Sequence, residues 1–120
     1  MYCRWFLEAR TDEELAHALR TGKRVFVVRV KALSRECTEQ VATWLRTGLR
    51  CYDFAGVVGP DTFAVVLTDT DRERVEALLN RARGAIASPI ITSVAQFPED
   101  GLTFDALLRQ ATAQWTGAAA

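Results

Sequence analysis

Apolar residues along this chain follow two spacings, β-branched runs and stripes at helical intervals, and their alternation predicts the order of elements. Arg24–Val30 (RVFVVRV) reads as a buried strand. Cys37, Val41, Trp44 and Leu45 fall at helical spacing behind Ser34, a capping residue, and Gly48 ends that helix. Tyr52–Val58 and Phe63–Leu67 are short apolar runs around Gly59-Pro60-Asp61-Thr62, the pattern of a β-hairpin. Asp71 opens a third helix, with Val75, Leu78, Leu79, Ala82 and Ile86 as its core stripe. Ile90–Phe97 is a strand and Pro98–Gly101 a turn. Thr103 then caps a last helix carrying Phe104, Leu107, Leu108, Ala111 and Trp115.

Ahead of these, Thr11–Glu14 has the form of a capping box, predicting a short helix to about Leu19 that Gly22 closes. Tyr2–Ala9 fits a strand or a helical lead-in equally. From Arg24 onward the order is β-α-β-β-α-β-α. That is the ferredoxin-like, split βαβ plan with one extra helix: an α+β fold with helices packed on an antiparallel central sheet. The expectation is one domain over residues 1–120, with 1–22 an N-terminal extension and 24–115 the core.

The formal net charge is zero, without the basic excess that DNA or RNA binding calls for. Of fifteen basic residues only Lys23 and Lys31 are lysines, and arginine suits bidentate recognition of phosphates and base edges. Cys3, Cys37 and Cys51 have neither zinc-ligand nor disulfide spacing, so reduced thiols in the cytoplasm are expected. The start is too short and too charged for a signal peptide, no apolar run reaches membrane-spanning length, and the TGAAA end reads as a frayed tail. His17, the one histidine, shares a helix face with Glu13 and Arg20 and reads as a solvated residue. Trp5, Trp44 and Trp115 sit among apolar neighbours, as core or contact-surface residues do. Asp69 and Asp71 flank a helix start, where capping accounts for them.

The hairpin and the C-terminal third resemble a GGDEF (diguanylate cyclase) domain. The resemblance is carried by Phe63-Ala-Val-Val-Leu67 after the hairpin, by Ser93–Gly101 (SVAQFPEDG), and by the helix after it. It aligns the family's five-residue signature with Gly59, Pro60, Asp61, Thr62 and Phe63. Catalysis in that family implies two metal-binding acids, on the first strand and at the third signature position, holding divalent ions against GTP. Here the first-strand positions are Arg29 and Lys31, which repel a metal ion, and Asp61 alone is a poor Mg²⁺ site. Pro60 replaces a glycine and removes an N–H where a phosphate would approach, and Thr62 replaces a glutamate. The stretch before the hairpin is about ten residues shorter than usual and lacks a clear guanine-reading Asn and Asp. The resemblance therefore implies a degenerate domain with no catalytic residues, no bound metal and no cofactor.

Active members of the family often carry an inhibitory product site, an RxxD motif ending five residues before the signature. Arg50-Cys-Tyr-Asp53 stands at that spacing, with Phe54–Val58 between it and Gly59. The further arginine of such sites falls at Arg81. An arginine fork suits guanine O6 and N7, and a carboxylate suits its N1–H and N2–H. A plain surface ion pair between Arg50 and Asp53, worth at most about 1 kcal/mol, accounts for the same spacing.

Three readings follow. The first is a cytoplasmic cyclic di-GMP receptor, binding at Arg50, Asp53 and Arg81, homodimerising with ligand and signalling to a partner protein. The second is a nucleotide-independent protein-interaction or dimerisation module using a sheet edge or the aromatics near Trp5 and Trp115. The third is a residual enzyme in which Arg29 and Lys31 hold phosphates without metal.

Overall fold

The computed structural model describes residues 1–50, 52–87 and 89–119, with the backbone alone for 115–119. The expectations for Cys51 and for the Trp115 side chain lie outside the described residues. The elements are α1 (Arg4–Thr21), β1 (Val25–Ala32), α2 (Arg35–Gly48), β2 (Phe54–Gly59), β3 (Thr62–Thr68), α3 (Arg72–Ala85), β4 (Ile90–Phe97) and α4 (Phe104–Ala119). The strands form one antiparallel four-stranded sheet in the order β2-β3-β1-β4. This is the expected α+β plan.

β3 and the first half of β1, Val25–Val28, are apolar without alternation because both faces of the central sheet are covered there. Phe26, Val28 and Val30 point into a core shared with Cys37, Val41 and Leu45 of α2 and Val75, Leu79 and Ala82 of α3. Val25 and Val27 point the opposite way, against Leu7, Leu15 and Ala18 of α1 and Phe104, Leu107 and Ala111 of α4. The later helices begin where the capping residues predict. Ser34 accepts from the Cys37 N–H (3.1 Å), Asp71 from that of Arg74 (2.9 Å) and Thr103 from that of Ala106 (3.1 Å).

The first helix differs from expectation. It runs for eighteen residues from Arg4, so Thr11 lies within it, fully buried, and caps nothing. The reason is a stripe that the capping-box pattern conceals: Leu7, Thr11, Leu15 and Ala18 all face the sheet at helical spacing. Glu14 pairs instead with Arg10 (2.7 Å), one turn earlier. Gly22 does close the helix, at φ 72°.

The residues before α1 extend the sheet. Tyr2 donates its N–H to the Ala55 carbonyl (3.0 Å) and accepts from the Val57 N–H (3.1 Å), forming a parallel bridge at Gly56. Gly56 permits this approach, since a Cβ there would lie 2.7 Å from the Tyr2 carbonyl oxygen. On the opposite edge, the Gln114 amide of α4 bonds the Val94 N–H (3.2 Å) and carbonyl (2.6 Å). Asp100 takes the Gln96 N–H with its carboxylate and gives its own N–H to the Gln96 carbonyl, both at 2.8 Å.

Candidate functional site

The turn from α2 into β2 is held by Arg50 and Asp53. The Asp53 carboxylate is 2 % exposed and lies against the last residue of β3. Its Oδ2 accepts from Arg50 Nε (2.7 Å), and its Oδ1 accepts from Arg50 Nη2 and the Thr68 N–H (both 3.1 Å). Arg50 Nη2 also donates to the Thr68 carbonyl (2.9 Å). Arg50 Nη1 donates to the Tyr52 hydroxyl (3.0 Å), and the Tyr52 ring lies under the guanidinium, 4.4 Å from centroid to Cζ. The hydrogen bond to Asp53 is the main cause raising the Arg50 pKa above its ordinary value, so the group stays charged. The pair is more than a surface ion pair, because it fastens the β2 entry to the end of β3.

Beside this clasp lies a cleft of about 140 Å³ lined by Arg50, Asp53, Thr70, Arg74, Leu78 and Arg81, among others. The chain thus brings together the three residues expected to bind ligand. Arg81 is exposed, and among the described residues it makes no hydrogen bond or ion pair. Arg74 reaches Asp71 only at 3.8 Å. Arg74 and Thr70 are members that the motif spacing does not find. Arg74 was legible as the residue two helical turns before Arg81 on the same face. Tyr52 was legible only as a residue inside the motif.

The hairpin tip is built differently. Gly59 pairs with Thr62, and Pro60-Asp61 form the turn, with Asp61 at φ 52°. Asp61 accepts from the Thr38 hydroxyl of α2 (2.7 Å), and its carbonyl accepts from the Ala32 N–H (2.9 Å). Thr62 is buried and its hydroxyl donates to the Pro60 carbonyl (2.8 Å). Phe63 is buried in the α2–α3 core. On the neighbouring strand Arg29 lies opposite Ala64 and Ser93, and Lys31 opposite Thr62. Burial, followed by the nearby charge of Arg4, lowers the Arg29 pKa. One carboxylate, engaged by Thr38 of α2, is a donor set that does not fit a divalent ion. No cluster of three metal-ligating residues occurs among the described residues.

The remaining candidates separate by position. His17 is exposed on α1, as expected. Cys3 is an exposed thiol, and Cys37 a buried one whose Sγ–H donates to the Pro89 carbonyl (3.5 Å). Trp44 is half-buried against the α2–α3 core, whereas Trp5 is 72 % exposed. Trp5 stands with Phe6 (5.9 Å between rings), which in turn meets Tyr2 (4.7 Å). Asp71 caps α3, and Asp69 faces Lys23 at 3.8 Å. No helix among the described residues is long and apolar enough to cross a membrane.

No protein-family model matches this chain, and no curated protein matches it significantly. Solved structures do. The GGDEF domain of PA1120 (YfiN or TpbB) from Pseudomonas aeruginosa has a TM-score of 0.86 at 20 % identity, over 98 % of this chain and 89 % of its own. A sensory box/GGDEF family protein from Caulobacter crescentus gives 0.82 at 21 % identity, over 98 % and 92 %. The GGDEF domain of DgcB from Caulobacter crescentus, solved in complex with c-di-GMP, gives 0.85 at 13 % identity, over 98 % and 82 %. The chain therefore has the fold of GGDEF domains.

Proposed function

We propose that this chain is a catalytically inactive GGDEF-like domain that works in the cytoplasm as a cyclic di-GMP receptor. Arg50, Asp53 and Arg81 form its site, and the domain signals by pairing with a second copy or a partner protein. The observation that carries this reading is the shared cleft, in which an exposed Arg81 with no partner among the described residues faces the Arg50–Asp53 clasp. The c-di-GMP complex of the similarly folded DgcB domain supports the choice of ligand. The reading of inactivity is supported by Asp61, a single carboxylate engaged by Thr38, and by Arg29 and Lys31 at the first-strand positions where the resemblance implies an acid. Calorimetric titration of cyclic di-GMP tests the proposal. Saturable binding is expected, weakened about ten- to a hundredfold by Arg50→Ala. No turnover of GTP with Mg²⁺ is expected, and turnover abolished by Asp61→Asn would overturn the claim of inactivity.

The exposed cluster of Trp5, Phe6 and Tyr2 favours a second reading, a nucleotide-independent protein-interaction module. That reading prevails if self-association or partner capture is lost in Trp5→Ala and is indifferent to cyclic di-GMP.

A further inference from the structure

Single apolar side chains reach solvent at Leu19, Leu33 and Leu102, as they do on soluble domains generally. One edge differs. Met1, Tyr2, Trp5, Phe6 and Val57 are all exposed there. Their rings form a chain in which Trp5 meets Phe6, Phe6 meets Tyr2, and Tyr2 meets Phe54 at 6.0 Å. Tyr2 and Phe54 also line a groove of about 310 Å³ that continues past Met1 to Leu45, Arg46 and Leu49. The aromatic strip and the groove are therefore one surface, reaching from α1 across the β2 edge to the end of α2. Contiguous apolar area of this kind on a folded domain marks a place of contact.

The charges around it select what it contacts. The groove lining holds three charged side chains, two of which, Arg50 and Asp53, are paired with each other. The third, Arg46, is exposed, and among the described residues it makes no hydrogen bond or ion pair. At the hairpin side of the strip Arg4 donates to the Val58 carbonyl (3.2 Å) and has no carboxylate partner among the described residues. Glu8, the exposed acid one turn after Arg4, stands about 160° around α1 from Phe6. Apolar ground flanked by cations without carboxylates complements an acidic chain with apolar anchors. A second copy fits poorly, because the strip laid on itself about a two-fold axis sets cation against cation. A bilayer also fits poorly: it takes up protruding side chains, whereas Leu45 and Leu49 lie in a recess. We propose that this surface docks an acidic segment of a partner protein, seating large apolar side chains on Phe6, Tyr2 and Leu49 and a carboxylate at Arg46. The proposal rests on the interaction-module reading and gives the partner a chemistry.

The test pans a phage-displayed library of random peptides over the full chain, then titrates the enriched peptides by fluorescence anisotropy. Peptides that join large apolar residues to Asp or Glu are the expected result. Trp5→Ala should weaken them at least about tenfold. Arg46→Glu should weaken them about three- to tenfold, by less at high salt. Both side chains are exposed, and a thermal melt verifies that each variant stays folded. Enrichment of basic or uncharged peptides that depend on Trp5 overturns the acidic partner and leaves the interaction reading standing. So do dimers in sedimentation that Trp5→Ala abolishes, since the occupant is then a second copy. Trp5-dependent binding to phosphatidylserine vesicles identifies a lipid surface and overturns both. Absence of any Trp5-dependent binding, to peptide, vesicle or second copy, also overturns both.

Discussion

Two places on this fold are built from the same kinds of residue and come to opposite ends. At the hairpin tip Asp61 accepts from the Thr38 hydroxyl of α2, and Phe63 is a core residue. Everything there holds the chain to itself. At the α2–β2 turn the acid Asp53 is also inward, but it leaves arginines lining an open cleft. The difference lies in where the cations stand. Arg29 and Lys31 sit on a central strand, paired on both sides, while Arg74 and Arg81 sit on the outer face of a helix, where they are available. One place is taken up by internal contacts and the other presents a surface.

Four substitutions test that contrast. The largest effect belongs to the hairpin: Phe63→Ala should lower stability by about 3–5 kcal/mol in urea denaturation, as core truncations do. A loss below about 1 kcal/mol would mean that this residue is not a packing element after all. Asp53→Ala should cost about 2–3 kcal/mol, because it strands the Thr68 N–H and a partly buried guanidinium. A much smaller loss would reduce the clasp to a surface ion pair and break the contrast. Asp61→Ala should cost about 1 kcal/mol, since it removes the Thr38 bond and leaves a left-handed backbone without the side chain that tolerates it. Arg81→Ala should change stability by no more than about 0.5 kcal/mol. A larger loss would show that Arg81 belongs to the structural side of the comparison.

The hairpin and the central strands were legible in the sequence because their burial on two faces writes itself into unbroken runs such as Phe26–Val28 and Phe63–Leu67. The start of α1 was not. Thr11 has the chemistry of a cap and the position of a core residue, and only the packing of Leu7 and Leu15 on the sheet decides between them. The site divides in the same way. The spacing of Arg50 and Asp53 is a local fact, Arg81 came from the resemblance, and the fold gathers the three around one cleft. That Asp53 is buried, and that the Thr68 N–H and carbonyl complete the clasp, depends on a contact between residues far apart in the chain. No short motif records that contact.

The amide of Gln114 has a consequence beyond the helix that carries it. An outer strand with free N–H and carbonyl groups is a template on which another chain can add, and repeated addition leads toward fibrils. Gln114 and Asp100 occupy those groups at Val94 and Gln96, as a short strand would. Growth of the sheet from this side is therefore blocked over those residues without proline or a bulge. A strand adding at Val94 and Gln96 would first have to displace the Gln114 amide and the Asp100 carboxylate.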